Sequence, residues 1–242
     1  MLNEVITFFG ADAKVGTSMI AQSVAEELAA KKKNVLLIFA SQELFDEFLD
    51  TEDNHTSIDD IHLTDPAKLT FNDMEHIIQK TGTFDYIKGC VRPTELRFYH
   101  EDILKSIITL VQKRYDYVII DGGHNYQYPL PVYSLLVATK RVYVVTQDYK
   151  TIARFNSTVK TILAADALKT LASEEIVLNR YNKNDGIYTA ENIKEIFELP
   201  ITLVPRAKGG ASCEANHQTL SRVDRGFKAA IAELTNRLTN GG

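Results

Sequence analysis

Short continuous apolar runs recur along the chain at residues 5–9, 35–40, 117–120, 141–146, 176–178 and 201–204. They do not alternate with polar positions, so each reads as a strand covered on both faces of a mostly parallel sheet. Between them lie stretches of helical period. Ile20, Val24 and Leu28 repeat every fourth residue. Ile103, Leu104, Ile107, Leu110 and Val111 form one stripe, and Ile152, Phe155, Val159, Ile162 and Leu163 form another. Thr189 is placed to cap a short helix carrying Ile193, Ile196 and Phe197. Strand–helix alternation of this kind predicts a doubly wound α/β sheet.

Two regions depart from the pattern. Residues 41–100 are acidic and irregular, with a helix expected over 71–80 and a strand over 84–87. At the end of the chain a helix is expected over 219–238, with Leu220, Val223, Phe227, Ile231, Leu234 and Leu238 on one face. Its other face mixes Asp224, Arg225, Lys228, Glu233 and Arg237. That mixture favours a helix docked on the sheet over an amphipathic membrane anchor, so membrane contact is at most peripheral.

Composition narrows the function. The 242 residues hold no Pro/Gly/Ser-rich linker, and a single domain over 1–242 is expected. A net charge of -5 offers no general electrostatic reason to bind nucleic acid. The Lys31–Lys33 run reads as complementing the end of the first helix. Cys90 and Cys213 stand far apart without metal-ligand spacing, which argues against zinc and iron–sulfur sites. The first residues lack a signal-peptide pattern, and no apolar stretch reaches the ~20 residues of a membrane span. A soluble, cytoplasmic protein is expected.

The informative chemistry lies after the first strand. Residues 4–18 read EVITFFGADAKVGTS: an apolar strand, a Gly-containing turn through Gly10, Asp12, Lys14, Val15 and Gly16, and an Ala-rich helix from Thr17 and Ser18. This is the context of a phosphate-binding P-loop, in which a lysine precedes the hydroxyl residue. Here that place holds Thr17. Further on, RYDYVIID ends a strand at Asp121, IVLNRY ends one at Asn179 and Arg180, and LPITLVPR reaches Pro205 and Arg206.

In this order and spacing the segments resemble the ParA/MinD family of deviant-Walker P-loop ATPases, over essentially the whole chain. GCVRPTE at 89–95 resembles in particular the CpaE/TadZ-like pilus-assembly localisation branch. The resemblance implies ATP and magnesium as cofactors and places residues one by one. Gly16 takes the last loop glycine, and Ser18 the magnesium-binding hydroxyl. Thr17 replaces the phosphate-binding lysine, and Asp12 the signature lysine that reaches across the dimer. Ala13 and Lys14 stand where glycines do. Asp121 matches the Walker B aspartate, a magnesium and catalytic residue; otherwise it caps the loop that follows. Asn179 matches the residue that reads adenine, with Arg180 beside it and Pro205 as a wall. The family's aspartates after the second strand are absent, with Ile38, Phe39, Ala40 and Ser41 in their place.

Two lysines lost and one carboxylate gained weaken the attraction for phosphates. One unit-charge contact near 5 Å is worth about 3 kcal/mol at an effective dielectric of ~20. The expectation is therefore a degenerate site with weak or no ATPase, in a homodimeric localisation scaffold for a pilus, secretion or polarity machine. The alternative is a working magnesium-dependent ATPase that drives partition or positioning. Dimerisation is expected to be independent of ATP, with Asp12 paired to Lys14 or Arg154 of a second copy. Tyr126, Tyr128 and Tyr133 are expected in the dimer contact, with local packing as the other reading. His124 reads as a solvated loop residue, and Glu95 and Arg97 as surface residues.

Overall fold

The computed structural model describes residues 4–41, 49, 56–92, 94–95, 97–159, 172–184 and 188–240. Strands β1 (Glu4–Gly10), β2 (Val35–Phe39), β3 (Ile78–Lys80), β4 (Asp85–Ile87), β5 (Tyr117–Asp121), β6 (Lys140–Val145), β7 (Ser173–Tyr181) and β8 (Ile201–Pro205) form one sheet. Its order is β3-β4-β2-β5-β1-β6-β7-β8, parallel except for the β3–β4 pair. Helices α1 (Thr17–Ala30), α2 (Phe71–Ile77), α3 (Ile103–Val111), α4 (Pro129–Val137), α5 (Tyr149–Arg154), α6 (Ala190–Phe197), α7 (Gly210–Ala215) and α8 (Arg225–Asn240) lie around it.

The continuous apolar runs follow from burial on both sides. In β1, Ile6 and Phe8 pack beneath α1 and α8, while Val5 and Phe9 face the opposite layer. In β6, Val142 and Val144 share the α1–α8 side, and Tyr143 and Val145 face Phe155 and Phe197. At about 25 cal/mol per Å² of apolar surface removed from water, two buried faces make this sheet the main source of stability.

Three expected elements differ. The helix over 71–80 stops at Ile77, and Ile78–Lys80 returns as β3 against β4. Ile78 is extended, and the Gln79 amide donates to the Thr56 carbonyl at 2.7 Å while accepting from Tyr86 Oη at 2.6 Å. Tyr86 is a buried residue of β4, so tertiary contacts override the helical period. The stripe through Ile152 begins as α5 and widens into a π turn at Phe155–Val159; Ile162 and Leu163 lie outside the described residues.

The last helix starts at Arg225, where the Asp224 carboxylate accepts the Phe227 N–H at 2.8 Å. Leu220 sits in a separate 3-10 turn yet still packs against the same core, whereas Val223 is 52% exposed and leaves the docked stripe. Thr219 and Arg222 bond Glu26 of α1 and hold that turn in place. Phe227, Ile231, Leu234 and Leu238 are buried, as a docked helix requires. Among the described residues no helix is long and apolar enough to cross a membrane. Thr189 does cap α6, in a reciprocal pairing with Asn192.

Candidate functional site

Strand β1 lies between β5 and β6, where the strand order reverses, and ligands of open α/β sheets sit beyond such carboxyl ends. The register sets Phe8 beside Asp121 and Gly10 beside Val144. Past the ladder, Gly10 N–H donates to Gly123 O at 2.7 Å, and Ala40 N–H to Asp121 O at 2.8 Å. The loops after β1, β2, β5, β6 and β7 therefore gather at one edge.

The loop after β1 is tightly held. A Cβ on Gly10 would overlap the Thr17 hydroxyl, and one on Gly16 the Asn179 amide. Gly16 has φ 95°, in the left-handed region that favours glycine. Lys14 also has positive φ, 59°, which costs a non-glycine residue about 1 kcal/mol. Arg180 offsets this by donating to Lys14 O at 2.9 Å. Asn179 donates to Val15 O at 2.7 Å and accepts from Arg180 N–H at 2.8 Å. Its amide thus clamps the loop while still lining the cleft.

Asp12 is 6% exposed. One oxygen accepts the Ala13 N–H at 2.8 Å and a close bond from Arg154, and the other pairs with Lys150 at 2.9 Å. Both cations belong to α5 of the same chain, so Asp12 already has charged partners without a second copy. Burial pushes its carboxyl up. The Lys150 hydrogen bond, the Ala13 N–H and the charges of Arg154 and Lys150 outweigh that and hold it below the usual carboxylate range.

Asp121 is fully buried, and one oxygen accepts the Gly123 N–H at 3.1 Å. A cleft of about 720 Å³ opens at this edge, into which Asp12, Lys14, Gly16, Thr17 and Ser18 face from the loop, while Asp121 itself does not reach its lining. Asn179, Arg180 and Pro205 form the facing wall, with Ser41, His124, Arg206 and Glu214 at the rim. Val15 is packed beneath the loop. The N-cap of α1 is Gly16, which has no side chain to bond the N–H groups of the first turn.

The cleft has room for a nucleotide. For magnesium the candidates here are the Ser18 hydroxyl and the Asp121 carboxylate, and Thr17 and Ser41 add hydroxyl groups without charge. Among the described residues no group of three metal-binding side chains forms.

Sequence reasoning missed a second polar centre beside this edge. Asp59, 1% exposed, accepts the N–H groups of Val91 and Arg92 at 2.8 Å each and the hydroxyl of Tyr99. His62 contacts Asp59 O at 2.5 Å and Glu95 at 2.8 Å. Glu95, expected on the surface, thus joins through His62 a network that holds the Val91 and Arg92 N–H groups after β4. Arg97 is exposed as expected. Tyr126 is 38% exposed, whereas Tyr133 packs partly against the core. Lys150 and Arg154 had a signal: they lie four residues apart just past a strand's carboxyl end.

No protein-family model and no curated protein matches this sequence. Solved structures do match in fold. A ParA family ATPase from Chlorobium tepidum TLS superposes with TM-score 0.83 at 20% identity, covering 96% of this chain and 98% of that one. MinD complexed with Mg-ADP from Pyrococcus horikoshii OT3 gives 0.79 at 15% identity, covering 98% of each. The MinC:MinD cell division complex of Aquifex aeolicus gives 0.79 at 18%, covering 99% and 96%. The eight-stranded, mostly parallel sheet with flanking helices is the ParA/MinD P-loop NTPase fold.

Proposed function

We propose that this chain is a ParA/MinD-type protein with a degenerate nucleotide site, acting as a homodimeric localisation scaffold with weak or no ATPase activity. Its machine is of the pilus, secretion or polarity kind, as the CpaE/TadZ-like segment at residues 89–95 suggests. One observation carries the reading. Asp12, at the place of the signature lysine, is buried and ion-paired to Lys150 and Arg154 of its own chain. The loop's charge is balanced without a triphosphate, so neither folding of the loop nor pairing of subunits needs one. If nucleotide enters, Gly16, Thr17, Ser18 and Arg180 hold phosphates and Pro205 borders the base. Ser18 and Asp121 are the groups left for magnesium, and this set supports binding better than turnover.

The test is sedimentation at micromolar protein with and without ATP and magnesium, together with phosphate release. A dimer in both conditions with background turnover is expected. A monomer that dimerises only with ATP, or turnover abolished by Asp121→Asn, would overturn the reading. The second reading, an active positioning ATPase, is favoured by the open cleft over the uncapped start of α1 and by the fold shared with a MinD that holds Mg-ADP.

A further inference from the structure

The ion triad at the loop has an uneven build. Its carboxylate is buried, but its cations are not: the Lys150 side chain is 76% exposed and that of Arg154 46%. Both extend from one face of α5 towards a single oxygen pair. A structural ion pair at a surface gains little from recruiting two long, solvated side chains. Exposed arms of this length re-aim over several ångströms at small cost, since their heads stay in water while they move. The carboxylate also takes the Ala13 N–H, a backbone donor of the loop. Asp12 therefore holds what a bound phosphate group takes from such a loop: a main-chain N–H, a lysine and an arginine.

We propose that Asp12 is a tethered anion. It holds Lys150 and Arg154 until a phosphate-bearing ligand displaces it, and these two side chains are the site's relocated phosphate-binding cations. The proposal rests on reading the loop as a degenerate phosphate site, and it names the group that keeps the site weak. Charge around the cleft agrees. Among the described residues, Lys14, Arg180 and Arg206 line it beside the Lys150–Arg154 pair, against the carboxylates of Asp12 and Glu214. Removing the Asp12 charge frees two cations for an incoming anion and deletes a repulsion.

The experiment is calorimetric titration of inorganic pyrophosphate and of ADP into the full-length protein. The set is wild type, Asp12→Asn, and the triple variant Asp12→Asn/Lys150→Met/Arg154→Met, each checked by thermal melting. Asp12→Asn is expected to bind pyrophosphate about tenfold or more tighter than wild type, as removal of one unit charge beside the anion requires. The triple variant is expected to lose that gain. A folded Asp12→Asn protein without the gain, or a triple variant that keeps it, overturns the proposal. Should Asp12→Asn unfold, Asp12→Ser takes its place with the same two outcomes, its hydroxyl keeping the Ala13 contact without the charge. A gain for ADP without one for pyrophosphate also overturns it, because the cations would then not be reading phosphate. Turnover or ATP-dependent dimerisation of the wild type would sink the scaffold reading and leave these differences between variants standing.

Discussion

Gly16 and Asn179 lie 163 residues apart and share one point of contact, so their substitutions should not add. Asn179→Ala deletes the donor to Val15 O and the acceptor for Arg180 N–H. Two groups left without partners, at about 1–2 kcal/mol each, cost ~2–4 kcal/mol. Gly16→Ala places a methyl group into the Asn179 amide and a side chain at φ 95°. The left-handed backbone costs about 1–2 kcal/mol and the overlap a further ~1–3 kcal/mol. With Asn179 already cut to Ala, the overlap disappears and only the backbone cost remains. The double variant should therefore be more stable than the sum of the singles predicts, by ~1–3 kcal/mol. Urea unfolding followed by far-UV circular dichroism measures this, the chain having no Trp to report by fluorescence. Additivity within about 0.5 kcal/mol would refute the clamp, because it would mean that the amide does not touch the loop.

Other outcomes follow from the same structure. Asp59→Ala leaves Tyr99 and two N–H groups without their acceptor and should cost about 3 kcal/mol or more, seen as a melting temperature lower by ~6 °C or more. An exposed-site cost below ~0.5 kcal/mol would contradict its role as hub. The folded-state depression of the Asp12 pKa contributes stability above the unfolded value of about 4, lost as pH falls through the lower folded value. The stability difference between wild type and Asp12→Asn should accordingly shrink on acidification. A difference that grows instead would show the sign to be wrong. Burial pushes the Cys90 thiol up to about 11 and also raises that of Cys213, so the native protein should react slowly with thiol reagents at pH 8 and fully once denatured. Rapid native labelling would contradict the packing around both.

The apolar runs located β1, β2, β5, β6, β7 and β8 by themselves, because a strand covered on both faces is mostly apolar whichever neighbours it takes. The strand–turn–helix at residues 4–18 likewise placed the site, since Gly10 and Gly16 are local requirements of a tight turn against a helix. Side-chain partners were another matter. Asp12 looked like an acid facing a second subunit, yet its charge is met by α5, 138 and 142 residues later. Nothing in the local sequence around Asn179 shows that its amide donates to Val15 O, 164 residues earlier. Glu95 looked like a surface residue and pairs with His62. The end of α2 at Ile77 was set by a strand pairing that local period cannot encode. Hydrophobic period is a property of neighbours along the chain, whereas a charge or amide is satisfied by whatever the topology brings within 3 Å. Only the folded sheet edge, with β1 between β5 and β6, decides which groups those are.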